Sequence, residues 1–314
     1  MDVILHVGAH RTGTSSLQAY LREHDVALTA QAVGFWGPRR TRVGLLDGLA
    51  DRPQTPADLA AVVRGTGRLR MNLDLSRRRG VQALIISDEN MLGSVRRSIA
   101  ATRPYPDAGE RMARLHAAFG GVTRVVLQVR ALDLWWASAL AYLLPRGGLL
   151  PDPAQLDRIA QATRGWRDVI TDIACACPGA QIVVLPFERF AGQPAAQLAA
   201  MTGRRGFPKV PANRFWENRS ADLPTLRALL AERGDDPTRL PSGPGRWMPF
   251  DARQTETLRE AYADDLFWLR AGAGGLAQLT EEDGSRDAAK TAQRPDNKRG
   301  RRHDRPARIL AQDG

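Results

Sequence analysis

The sequence predicts an α/β protein, a three-layer α/β/α arrangement around a central parallel sheet with a helical C-terminal part. Three observations predict it. Short apolar, β-branched runs recur at 3–7, 81–87, 122–129 and 181–185. Those at 81–87 and 122–129 are almost continuously apolar, as strands covered on both faces are. Segments of helical spacing, long enough for crossover connections, separate the runs.

Taken in order, the first strand leads into Gly8, a short polar loop, Gly13 and a helix expected over 14–24. Residues 34–56, rich in Gly, Pro and Arg, read as a long loop or insertion. A helix is expected over 57–79, broken near Gly65 and Gly67. The second strand ends in Ser87-Asp88-Glu89-Asn90; 94–108 reads as loop and 109–119 as helix. Arg130 closes the third strand ahead of an apolar helix over 135–142. Residues 144–153 read as loop and 154–174 as one helix before the fourth strand. Helices are expected over 220–233 and 252–271. Residues 1–280 form the α/β domain, and 281–314, poor in apolar residues and rich in charge, form a disordered tail.

Composition narrows the function classes. A chain of 314 residues with 43% apolar content can bury a sizeable core. No apolar run approaches the length of a membrane span, and the first strand starts too early for a secretory leader, so a cytoplasmic protein is expected. Cys175 and Cys177 read as small, buried or half-buried residues at a helix end; two ligands make no zinc site, and a disulfide at that spacing is strained. The net charge of +11 invites a nucleic-acid reading, but only three of the 45 basic residues are lysines and no nucleic-acid motif is present. No nucleic-acid partner is therefore expected.

The first βα turn carries the chemistry. The spacing Gly8-x4-Gly13 is that of a phosphate loop, whose helix N-terminus offers unpaired N–H groups to an anion. The position after Gly13, a lysine in loops that bind metal-bound triphosphates, holds Thr14, followed by Ser15 and Ser16; the positive charge sits at Arg11 instead. The run Gly-Ala-His-Arg-Thr-Gly-Thr-Ser-Ser-Leu over 8–17 resembles the phosphosulfate loop of sulfotransferases that use 3′-phosphoadenosine 5′-phosphosulfate (PAPS), including bacterial sulfotransferase-like proteins. Arg130 at a strand end, with Ser138 eight residues on, resembles the 3′-phosphate site of the same family.

The resemblance implies the phosphate-loop type of α/β fold and transfer of a sulfuryl group from PAPS, with no metal. It implies that Arg11, Thr12, Gly13, Thr14, Ser15 and Ser16 hold the 5′-phosphosulfate, and Arg130 and Ser138 the 3′-phosphate. Arg11 stands where the family usually has lysine, and offsets charge on the bridging oxygen. Glu89 is the expected base, with Asp88 second; His10 is a third candidate, or orients the loop. His6 reads as a satisfied core residue, Glu188 as structural, Ser220 as a helix N-cap, and the run Gly243-Pro244-Gly245-Arg246-Trp247 as the source of a late basic or aromatic contact to the nucleotide. The Arg-Lys-Gly motif of cytosolic animal enzymes is missing. The acceptor is expected to be the hydroxyl or amine of a saccharide, lipid or small molecule, met by loops within 34–56, 93–107 and 144–153, where Trp36, Trp135, Trp136 and Tyr142 divide between stacking and core. The alternatives are a divergent phosphate-loop kinase and a non-enzymatic anion- or nucleic-acid-binding module.

Overall fold

The computed structural model describes residues 1–281. Its six strands, β1 (Asp2–His6), β2 (Val33–Trp36), β3 (Ala83–Ser87), β4 (Arg124–Val129), β5 (Gln181–Pro186) and β6 (Gln278–Leu279), form one parallel sheet ordered β2-β3-β1-β4-β5-β6. The chain starts in the middle, runs out to the β2 edge, returns through β3 and then crosses β1 to reach β4. Strand order therefore reverses about β1, which places the crevice for a ligand at its C-terminal end.

Alternation along the strands assigns the layers. Val3 and Leu5 of β1, Leu84 and Ile86 of β3 and Val125 and Leu127 of β4 face one side. That side is covered by α4 (Pro56–Arg78), α6 (Ala108–Phe119), α7 (Leu132–Leu143), α9 (Trp166–Ala176) and α13 (Ala252–Arg270). Ile4, Ile85, Val126 and Val183 face the other, under α1 (Thr14–Glu23), α2 (Asp25–Ala30) and α11 (Pro194–Thr202). The shorter α3 (Pro38–Arg40), α5 (Val95–Ala101), α8 (Pro153–Ala160), α10 (Phe187–Phe190) and α12 (Leu223–Glu232) complete the connections. The three-layer α/β/α arrangement is the one the sequence predicts. Among the described residues, no helix is long and apolar enough to cross a membrane.

Several local expectations are corrected. Residues 34–56 are not all loop: they hold most of β2, then α3 and a kinked turn over Thr41–Leu45. β2 is a four-residue edge strand, too short to show a periodic pattern, and Gly34 lets it close against Val81 and Leu84. The helix over 57–79 is unbroken. Thr55 and Asp58 form a reciprocal capping box, and Gly65 packs where a Cβ would lie 3.0 Å from Leu49. Part of the 94–108 loop is α5, capped by the Ser94 hydroxyl. The helix expected over 154–174 is two helices, because the distant Asp265 carboxylate accepts from the amides of Trp166 (2.8 Å) and Arg167 (3.1 Å) and starts α9 afresh. Cys177 is buried but Cys175 is exposed. The tail expected over 281–314 lies, past Glu281, outside the described residues.

His6 sits fully buried at the end of β1, its Nδ1 2.8 Å from the Ser87 hydroxyl, which also accepts from the Gln18 amide at 3.1 Å. Its Nε2 has no well-formed partner, so the expected satisfaction is met on one side of the ring only. Burial pulls its pKa from 6.5 down to about 4, against the opposing pull of the Glu89 charge. The folded chain holds this imidazole neutral while the unfolded chain takes up a proton below its ordinary pKa. The His6 contribution is full above pH 6.5 and falls by about 3 kcal/mol as the pH drops towards 4, while Asp265, pushed up to about 6 by burial, shifts stability in the opposite sense. The His6 part is expected to appear in urea titrations as a difference between the wild-type chain and His6→Gln that changes across that range.

Candidate functional site

The loop between β1 and α1 is shaped by its residues one by one. Gly8 has φ +102° and lies where a Cβ would come within 3.0 Å of Glu89 Cβ and 3.1 Å of the His10 amide, so only glycine fits. Arg11 and Gly13 are also left-handed, with φ 64° and 84°, which turns the chain sharply into α1. The hydroxyls of Thr12 and Thr14 both donate to the Ala9 carbonyl, at 2.7 and 3.1 Å. Thr12 is thus a buried brace and does not line the cleft, whereas Gly13, Thr14, Ser15 and Ser16 do. The amides opening α1 have no intrahelical acceptor and carry the positive end of the helix dipole. A segment from the C-terminal third lies over them: Asn218 donates to the Ser15 hydroxyl (2.8 Å) and the Glu217 amide to that of Ser16 (3.1 Å).

The core beneath holds this loop in place. Trp135 of α7 donates its indole N–H to the His10 carbonyl (2.8 Å), and Trp166 of α9 donates to the Arg130 carbonyl (2.7 Å). The two indoles pack edge to face, 5.3 Å apart. Tyr105 lies against both, and its hydroxyl accepts from the His10 amide at 2.7 Å. The same hydroxyl is 2.9 Å from His10 Nδ1, while Nε2 is 3.1 Å from the Asn90 carbonyl oxygen. The consistent arrangement has Tyr105 donating to Nδ1 and Nε2–H donating to Asn90. Burial lowers the His10 pKa, which keeps the ring neutral. His10 therefore touches the cleft with both ring nitrogens occupied, an arrangement for orienting the loop.

Arg130 leaves the end of β4 at 5% exposure, donates to the Arg11 carbonyl (2.9 Å) and lies 4.6 Å over the Phe187 ring. Its Nε is buried without a partner. Arg11 donates through Nε to Ser138 and through Nη2 to Ser220, each at 3.0 Å, and the two hydroxyls are 2.8 Å apart. Ser220 is thus a member of the site and not the expected N-cap, a role taken by Asp222. Tyr142 is sandwiched between Arg11 and Arg146, 4.9 and 3.8 Å from its centroid. Burial lowers the guanidinium pKa values of Arg11 and Arg130 to about 10; Arg246 adds to the effect at each, and Arg146 adds to it at Arg11. Among the described residues neither Arg11 nor Arg130 pairs with a carboxylate, although burying an unpaired cation is costly. Both remain cationic at neutral pH; the Glu188 and Asp133 charges act on Arg130 without forming an ion pair with it.

The two acidic candidates differ in their surroundings. Asp88 is nearly fully buried and saturated: it accepts from Thr41 (2.6 Å), from Arg42 (2.7 and 3.1 Å) and from the Asn90 amide (3.0 Å). Glu89 lines the cleft, with Arg42 at 2.9 Å from one oxygen and Gln18 at 3.3 Å from the other. Burial favours its neutral form, but the Arg42 charge and hydrogen bond, together with a backbone hydrogen bond, outweigh it and hold the carboxyl below its ordinary range. Glu188 is structural, accepting from the Ala131 amide and the Tyr262 hydroxyl, each at 2.9 Å.

Together these residues bound a cleft of about 670 Å³ at the C-terminal end of β1 and β4. Arg11, Gly13, Thr14, Ser15, Ser16, Glu89, Arg130 and Ser138 meet there, and Arg246 lines it as expected. Of the expected acceptor loops, 34–56 contributes Pro38 and Arg42, and 144–153 contributes Arg146. Residues from 93–107 line a separate cavity of about 630 Å³. Trp36, Trp135 and Trp136 are core residues; Tyr142 alone of that group reaches the cleft. Sequence reading missed Arg42, Tyr105 and Trp166, which act through contacts 46 to 95 residues away, and no local pattern marks them. No family model matches the chain, and no curated protein matches it.

Tyr105→Phe would leave the buried His10 amide without an acceptor. A loss of about 1–3 kcal/mol in unfolding free energy is expected, read as a lower urea midpoint with unchanged slope.

Proposed function

We propose that this chain is a sulfotransferase that moves the sulfuryl group of PAPS to a hydroxyl or amine of a small-molecule, saccharide or lipid acceptor. One observation carries the reading. Arg130, buried, and Arg11, half-buried, have no carboxylate partner among the described residues and stand beside the N-terminus of α1 in a single cleft. A ligand with two separate anionic groups supplies what both lack.

In this reading the amides and hydroxyls of 13–16 hold the 5′-phosphosulfate, with the Glu217–Asn218 segment yielding its hydrogen bonds to the ligand. Arg130 and Ser138 hold the 3′-phosphate, for which a bidentate guanidinium suits. The acceptor oxygen or nitrogen attacks sulfur as Glu89 takes its proton. A new bond to sulfur forms while the bond from sulfur to the bridging phosphate oxygen breaks, and adenosine 3′,5′-bisphosphate departs with the electron pair. Arg11, held by Ser138 and Ser220 through Nε and Nη2, presents its remaining amino group to that oxygen. His10 keeps the loop in register. A cytoplasmic location accords with two unpaired thiols.

Calorimetry and thermal shift with adenosine 3′,5′-bisphosphate test the reading. Binding without Mg²⁺, and tighter than ATP·Mg²⁺, is the expected outcome. A preference for ATP·Mg²⁺ points to a kinase-like enzyme, and steep salt dependence without nucleotide preference to a non-enzymatic anion binder.

Two substitutions refine it. Arg130→Ala is expected to weaken the bisphosphate by about ten- to a hundredfold while changing AMP affinity little. Glu89→Gln is expected to lower transfer by about 10²–10⁴-fold with donor binding retained. Equal losses for both nucleotides, or retained transfer, would overturn the respective role.

A further inference from the structure

The longest helix, α4, is apolar on two faces. Its inner face buries Leu69 and Leu73, and Gly65 fits against Leu49. Its outer face carries a second apolar row at every fourth position: Leu59, Val63, Gly67, Met71 and Leu75. The four side chains are 56%, 72%, 72% and 43% exposed. A contiguous apolar row of this kind is unusual on a solvated helix. Gly67 is equally unexplained from within, since a Cβ there would meet nothing within 4 Å and glycine costs about 1 kcal/mol in a helix interior.

The row has a symmetry of its own. A half-turn about an axis through Gly67 exchanges Leu59 with Leu75 and Val63 with Met71. Residues four apart form a ridge inclined to the helix axis, and two such ridges lie side by side when helices cross at about 50°. A glycine at the crossing point lets the backbones approach. The same operation places Asp74 of each copy opposite Ala60 of the other, one turn from Arg64, which makes no hydrogen bond or ion pair among the described residues. Of the other cations nearby, Arg70 is turned inward to the carbonyls of Ala117 and Ala118, and Arg77 pairs with Asp74 of its own helix at 2.6 Å.

We propose that α4 is the interface of an isologous homodimer, two copies packing antiparallel with Gly67 on the two-fold axis. Leu59 and Val63 of each copy meet Leu75 and Met71 of the other, flanked by Asp74, which turns from Arg77 of its own helix to Arg64 of the other copy. A self-complementary surface of this kind closes as a dimer and does not propagate. A single helix crossing lies at the small end of specific interfaces, below about 1,200 Å² in total, so association falls in the micromolar range.

Sedimentation velocity of the full chain across micromolar concentrations tests this. A reversible monomer–dimer equilibrium is expected, lost in Val63→Glu/Met71→Glu; both positions are exposed in the monomer, and an unchanged melting temperature of that variant at low concentration confirms its fold. Asp74→Arg is expected to weaken the dimer about tenfold, and Arg64→Asp added to it to restore the affinity. In a Cys175→Ser background, Gly67→Cys is expected to form a disulfide-linked dimer on oxidation, whereas Arg79→Cys, on the order of 36 Å from its symmetry mate, is not. A monomer at every concentration overturns the proposal, as does a dimer indifferent to Val63→Glu/Met71→Glu. A cross-link through Arg79→Cys but not Gly67→Cys overturns it as well, and so does a monomer whose row instead binds lipid vesicles.

Discussion

Two indole N–H groups hold the architecture of the cleft together. Trp135 and Trp166 lie in the apolar core, where an unmet N–H is costly, and each finds its acceptor on a carbonyl of the site backbone, at His10 and Arg130. The core therefore fixes the phosphate-type loop and the end of β4 relative to one another. The helix N-terminus, the arginine pair and Glu89 inherit their geometry from those two bonds and from the Tyr105 hydroxyl above them. Packing and site are one structure here: the aromatic cluster that stabilises the large face of the sheet also sets the backbone that lines the cleft.

The electrostatics follow from the same arrangement. Burial deprives Arg11 and Arg130 of water, and their partners are serine hydroxyls and one main-chain carbonyl. In the neighbouring cavity the arrangement is opposite, since Arg42, Arg97 and Arg111 each have an aspartate partner. The contrast separates a region whose positive charge is unpaired from one whose charges are already balanced. Arg42 belongs to both, joining saturated Asp88 to cleft-facing Glu89, so Glu89 is held ionised by a group that the sequence places 47 residues away.

The fold was legible because strands buried on both faces leave long apolar runs. Gly8, Gly13 and the hydroxyls after them were legible because a tight βα turn is a local event. Arg130 and Ser138 were visible as a strand end and a polar residue inside an apolar helix. What escaped is what depends on distant partners. The split between α8 and α9 rests on Asp265, nearly a hundred residues downstream. Ser220 looked like a cap, because its pairing with Arg11 spans 209 residues. β2 was hidden by its length, and the Tyr105 hydroxyl by the ambiguity of a lone tyrosine in a polar stretch.

The two-residue strand β6 carries a consequence out of proportion to its size. It returns the chain, after the long helix α13, to hydrogen-bond along the outer rim of β5. Without it β5 would present a bare, apolar margin to any passing chain, the kind of template on which strands of different molecules join. This last strand thus acts as a selvedge for the weave, and a truncation that removes it while sparing every residue of the cleft would still invite sticking and fibre growth.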